Sequence, residues 1–156
     1  METIASLTSR NAKSGMVQWI GIRPERRKPL IATDQVCILE NGLEGDHYSS
    51  GGKRAVTLIQ YEHLPVIASM LGLETVSPLD LRRNIVVSGI NLIGLRNRQF
   101  KIGEAILEGS GLCAPCSRIE EIFGEGGYSA VRGHGGITAK IISPGKVQIG
   151  NQIEVL

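Results

Sequence analysis

Twenty of the 156 residues are glycine. They punctuate short runs of apolar and β-branched residues. Helix-rich domains avoid so much glycine, whereas turn-rich β proteins use it. The runs are Glu2–Leu7, Met16–Ile22, Leu30–Leu39, Ala55–Gln60, Asn84–Ile90, Ile102–Glu108, Gly136–Ile142 and Lys146–Leu156. Six or more short strands with turn signals between them predict a mainly β (β-rich α+β) fold. Its simplest architecture is a closed or partly closed β-barrel with a few short helices. The length suits one domain spanning residues 1–156, large enough to bury a core without staples.

Helical signal is local. Tyr61–Leu71 places Leu64, Ile67, Ala68 and Leu71 on one face, with Pro65 tolerated only near the first turn. Ser77-Pro78 reads as an N-cap followed by proline at the first helical position, opening a turn through Leu81. Ser117–Phe123 forms a third candidate helix. Phe100–Glu108 (FKIGEAILE) echoes Val147–Val155 (VQIGNQIEV), with Ile-Gly before an alternating run. We read these as recurrent barrel corners where glycine permits a sharp bend or positive φ.

Composition excludes several function classes. Seventeen basic against fifteen acidic residues give a net charge of +2, and aromatic residues are 4% of the chain. Neither a phosphate-tracking surface nor a base-stacking one is expected, so no nucleic-acid partner is predicted. No apolar run approaches the roughly 20 residues that cross a bilayer, so no membrane partner is predicted either. METIASLTSR lacks a secretory signal's basic and apolar regions. A cytoplasmic protein is the simplest expectation.

Gly111–Arg118 (GLCAPCSR) carries the strongest chemical signal. Two cysteines separated by two residues can chelate zinc, form a redox disulfide, present one reactive thiolate, or simply occupy a turn. Zinc needs further ligands, and a thioredoxin-like role needs a βαβ setting. Cys37 lies in an apolar run and is expected to pack as a small hydrophobe, while His47, His63 and His134 are scattered. We therefore favour one exposed functional thiolate, with Arg118 close by as counter-charge.

Three further segments could hold an anion. Arg82 and Arg83 at the mouth of a strand could clamp an oxyanion, with Asn84 adding a donor and an acceptor. The glycine-rich loop Asn41–Arg54 offers backbone N–H groups beside Asp46, His47 and Arg54, without P-loop spacing. Gly124–Gly136 contains six glycines in thirteen residues, with Arg132 and His134 inside it. It reads as a lid or close-approach segment, and His134 could serve as a general acid.

In order, these residues resemble a MOSC domain, the family named for the C-terminal domain of molybdenum cofactor sulfurase. The matching stretches are Gly42–His47, Arg54–Ile59, Arg83–Ile90, Phe100 with Ile102–Ala105, Cys113–Cys116, Arg132–Gly136, and Gly145 with Ile149-Gly150. The likeness spans about residues 40–155 and is closest to small stand-alone bacterial members. The chain has no room for the aminotransferase-like domain of the sulfurases, so no pyridoxal phosphate site is expected.

The resemblance implies a β-barrel serving molybdenum or sulfur chemistry. In the related amidoxime-reducing components, a protein cysteine holds the metal of the molybdenum cofactor; Cys116 matches it. The arginine–asparagine stretch that helps hold the cofactor matches Arg83 and Asn84, and Arg54, Arg82, Asp46, His47 and Arg132 complete the expected binding set. One implied function is a molybdenum-cofactor-binding oxidoreductase acting on N-hydroxylated small molecules. A second is a sulfur carrier with a persulfide on Cys116 resolved by Cys113. A third is a non-catalytic binding domain. The first two need a separate electron-donor or sulfur-donor protein.

Overall fold

The computed structural model describes residues 1–156. Ten strands form: β1 (Gly15–Ile22), β2 (Ile31–Thr33), β3 (Gln35–Ile38), β4 (Val56–Gln60), β5 (Ile85–Ser88), β6 (Gln99–Ile102), β7 (Ala105–Leu112), β8 (Ile137–Ser143), β9 (Gly145–Gln148) and β10 (Gln152–Val155). Seven close a barrel in the order β1-β10-β6-β7-β8-β4-β5, returning to β1. At the closing seam Gly15 pairs with Ile153 and Met16 with Gln152. β2 extends outward from β1, and β3 and β9 form a separate ribbon. Full closure leaves the barrel itself without an open edge.

The short helices are α1 (Ile4–Thr8), α2 (Leu64–Leu71), α3 (Pro78–Leu81), α4 (Ser117–Phe123) and α5 (Gly127–Val131). Only β4 and β5 among the barrel strands run parallel. Parallel neighbours cannot be joined by a hairpin, and α2 and α3 make the crossover. Two cores result. Val17, Ile20, Leu58, Ile85, Phe100 and Leu107 fill the barrel. Ile59, Ile67, Leu81, Val86, Ile119 and Val131 pack between its outer wall and the helices. β4 is therefore buried at every position. Its run carries apolar residues on both faces because Leu58 faces inward and Ile59 lies beneath helices.

Several expectations change in detail. Glu2–Leu7 is not a strand: Thr3 caps α1 through a capping box with Ser6, and Ile4 and Leu7 stay exposed. Leu30–Leu39 divides into β2 and β3, and Lys146–Leu156 into β9 and β10. The two Ile-Gly echoes part ways: Gly103 (φ +56°) is the tip of the β6–β7 hairpin, whereas Gly150 (φ +92°) turns the chain from β9 in the ribbon to β10 in the barrel, two strands that do not pair. Cys37 is exposed, because strand alternation turns Val36 and Ile38 inward and the thiol outward.

The ladders place four chain segments together. Leu112 pairs with Ile137, Ile137 with Leu58, Leu58 with Ile85, and Ile85 with Ile20. The end of β7, the start of β8, the start of β5 and the end of β1 thus share one row of the wall. The segments at that row are the cysteine loop Gly111–Arg118, the second glycine-rich loop Gly124–Gly136 (the glycine-rich loop from here on), Arg82–Asn84 and Arg23.

Candidate functional site

Arg83 and Asn84 build this region from beneath. Arg83 is buried, and its guanidinium donates to three carbonyls: Gly135 at 2.8 Å, Leu81 at 3.2 Å and Ala114 at 3.2 Å. It ties the cysteine loop to the glycine-rich loop. Asn84 is fully buried, and its Oδ1 accepts from Thr57 N at 3.2 Å and Thr57 Oγ1 at 3.1 Å. Its Nδ2 donates to the Gly21 carbonyl at 3.1 Å. Both side chains are buried and bonded to the protein's own groups, which positions the site.

Arg82 is the arginine that reaches the surface. It follows α3 with a left-handed backbone (φ +59°), which sends consecutive arginines to different sides. Its Nη1 donates to the Lys28 carbonyl at 2.9 Å. Burial, then repulsion from Arg118 and Arg23, holds Arg82 below the ordinary arginine range, while Cys116 acts in the opposite direction and Arg27 adds to the repulsion. Arg118 bonds the Arg27 carbonyl, the two share Glu121, and Arg82 bonds the neighbouring Lys28 carbonyl, so that with Arg23 they form one cationic basin beside Cys116.

The basin is only partly neutralised. Arg23 pairs with the buried Asp46 carboxylate at 3.2 Å, and Asp46 Oδ1 also accepts from the Arg23 amide at 2.6 Å. Glu121 serves both Arg118 (2.9 Å) and Arg27 (3.4 Å). Four guanidinium groups thus meet two carboxylates. Arg118 Nη2 donates to the Arg27 carbonyl at 3.0 Å, but its Nε is buried with no acceptor. An orphaned donor beside surplus positive charge fits an incoming oxyanion. Arg27 also has a left-handed backbone, φ +63°. Two of the chain's three non-glycine residues with positive φ thus lie in this basin, as strained residues do at functional sites.

Cys116 is exposed and its Sγ makes no hydrogen bond. Cys113 is different: it is buried at 4% exposure, with its amide donating to the Gly136 carbonyl at 2.8 Å. The two thiols are not an equivalent pair. No three His, Cys, Asp or Glu side chains converge as a metal-binding group, so a metal held by Cys116 must bring its other ligands with it.

Asp46 and His47 lie at the edge of the basin, and Arg54, Arg132 and His134 lie apart from it. His47 Nδ1 contacts the Arg23 carbonyl at 2.9 Å, and with Asp46 it braces Arg23. Arg54 is exposed in the turn before β4, whose neighbour Lys53 accepts through its carbonyl from Ser110 Oγ. It shares no hydrogen bond with the cysteine loop. Arg132 lines a separate cavity of about 760 Å³ bounded by Cys113, Ala114 and Pro115. His63 also lines it and meets His134, with Nδ1 atoms 3.3 Å apart and rings perpendicular. Burial, then the nearby His134, lowers the His63 pKa from its ordinary 6.5, with Glu62 opposing. Sequence reasoning missed Arg23 and Arg27, although the basic run Arg23-Pro-Glu-Arg-Arg-Lys28 carried the signal.

Fold and site together define a small closed β-barrel whose exposed Cys116 thiol lies beside a cluster of arginines. The MOSC domain model matches residues 45–154, and the chain belongs to the MOSC domain family. Arg23 and Arg27 lie outside the matched stretch. Solved structures share the fold. The YuaD protein from Bacillus subtilis superposes with a TM-score of 0.80 at 20% identity, covering 92% of this chain and 96% of that one. YiiM from Escherichia coli gives 0.71 at 22% identity, covering 90% and 69%. YiiM from Geobacillus stearothermophilus gives 0.71 at 16%, covering 91% and 75%. At these identities the likeness is one of fold. No curated protein matches the chain.

Proposed function

We propose that this MOSC-family protein binds a molybdenum cofactor at the basin, with Cys116 Sγ as the protein's ligand to the metal. The single observation that carries this reading is the exposed, unbonded thiol beside guanidinium groups that are not fully neutralised. A soft thiolate suits a thiophilic metal, and guanidinium groups suit a phosphate. Arg82 and Arg118 would grip the phosphate, with Arg118 Nε supplying the donor that lacks an acceptor. Arg23 would add charge from a position fixed by Asp46.

Bound there, the cofactor would supply two-electron redox chemistry for an N-hydroxylated substrate, with electrons from a separate donor protein. The chain's own residues orient and hold. Arg83 keeps the cysteine loop in place through Ala114, and Asn84 locks the start of β5 against β4 through Thr57. A sulfur-carrier reading would use the same exposed Cys116, but the burial of Cys113 argues against its serving as an accessible resolving thiol.

The test is metal, pterin and sulfur analysis of protein made in a cofactor-competent host. Molybdenum and pterin should co-purify with wild type and be lost from Cys116→Ser and Arg82→Gln. Protein without either, but with cyanolysable sulfur on Cys116 and none on Cys37, would replace this reading with the carrier one. Equal metal in wild type and Cys116→Ser would refute metal ligation by Cys116.

A further inference from the structure

The cavity on the far side of the cysteine loop takes no part in the cofactor reading. Its volume of about 760 Å³ falls within the range of small-molecule sites. Leu92, Ile93, Leu112 and Pro115 contribute apolar wall. Around it Leu112, Ile93 and Tyr128 remain 55%, 47% and 40% exposed, an apolar rim left uncovered by the rest of the chain.

The polar side chains that line it are Gln60, His63, Tyr128, Ser129 and Arg132. Gln60 is committed elsewhere: its Nε2 donates to the Ile90 carbonyl at 2.9 Å and its Oε1 accepts from the Leu92 amide at 3.0 Å. His63 faces His134, which does not line the cavity. Arg132, by contrast, has an exposed guanidinium with no hydrogen bond or ion pair, at the end of α5. The Tyr128 hydroxyl, also at the cavity, makes no hydrogen bond within the protein. One unpaired cation beside an apolar wall matches a ligand with one negative charge on an apolar body. A carboxylate can meet a guanidinium through two parallel hydrogen bonds.

We infer that this cavity is a second binding site, for a small organic carboxylate whose apolar body lies against Leu92, Ile93, Leu112 and Pro115 while Arg132 holds the charged end. The site is independent of the cofactor. It shares only the 113–115 segment as a wall, so a ligand here sits alongside the loop that carries Cys116.

Calorimetry and amide chemical-shift mapping on metal-free protein test this with three probes of one shape: 2-naphthoate, 2-naphthamide and 2-naphthylmethylammonium. The carboxylate should bind about tenfold or more tightly than the amide, and the ammonium least. Shifts should centre on Leu112, Tyr128 and Arg132. Arg132→Gln should weaken the carboxylate by a similar factor and leave the amide unchanged, while Arg82→Gln and Cys116→Ser keep carboxylate binding. Equal binding of carboxylate and amide, no binding, or loss in Arg82→Gln with retention in Arg132→Gln would overturn the assignment. Retained carboxylate binding in Cys116→Ser would stand even if that protein never held molybdenum.

Discussion

Arg83 Nη2 donates to the carbonyl oxygen of Ala114 at 3.2 Å, between the two cysteines. The bond joins a buried strand mouth to an exposed thiol loop. A residue whose motif suggested ligand binding determines where the loop lies.

Arg83→Met should therefore destabilise the protein by about 2–4 kcal/mol, because the Ala114, Gly135 and Leu81 carbonyls lose their donor together. Denaturant unfolding measures this. A change below about 0.5 kcal/mol would show that water or a neighbour replaces the guanidinium.

The two cysteines should separate in the same assay. Cys116→Ser alters an exposed atom and should stay within about 0.5 kcal/mol of wild type. Cys113→Ser buries a hydroxyl and should cost about 1–3 kcal/mol. Equal costs would mean the loop is arranged differently in solution.

The glycine-rich loop offers a matched pair. Gly136 has φ +86°, and a Cβ there would fall on the Leu58 carbonyl oxygen, which is backbone and cannot yield. Gly133 has φ +85° with open space around it. Gly133→Ala should cost about 1–2 kcal/mol from backbone strain alone. Gly136→Ala should cost distinctly more, or prevent folding, as thermal melts would show.

Stability should fall on acidification through the His63–His134 contact. Burial and His134 hold His63 below its unfolded value of 6.5, so the folded state binds fewer protons near that pH. The loss begins as pH drops through 6.5 and levels off below the folded value. Glu62 acts in the opposite direction, and Arg132 lines the same cavity. His63→Gln should flatten the profile of unfolding free energy between pH 7.5 and 5. An unchanged profile would remove His63 as its source.

Inorganic phosphate should stabilise the protein through the basin. At ten times its Kd it contributes about 1.4 kcal/mol, read as a rise in Tm. Arg82→Gln should abolish most of that gain, and added salt should weaken it. A gain that survives Arg82→Gln would place the phosphate elsewhere.

The barrel was readable where local signals agreed. Ala55–Gln60 became β4, Ser77 caps α3 through the Leu79 amide, and Pro65 sits in the first turn of α2. Glu2–Leu7 misled because a capping box outweighs β-branched composition in a segment that buries nothing. The basin was harder to see. Arg82 and Arg83 are adjacent, and only the left-handed backbone at Arg82 decides which faces Cys116 and which turns inward. Arg23 and Arg27 reach the same place through register, which pairs Ile20 with Ile85 across long sequence separation. No spacing rule within one segment reveals such a meeting.

The seam between Gly15 and Ile153 has a consequence for how the molecule comes into being. The ring joins strands far apart in sequence, so its closure is a contact of very high order and a slow entropic step. During synthesis the barrel stays open until β10 has left the ribosome. A cell meets this protein first as an unclosed sheet with bare edges, and the interval before the last strand docks is when it is most exposed to aggregation.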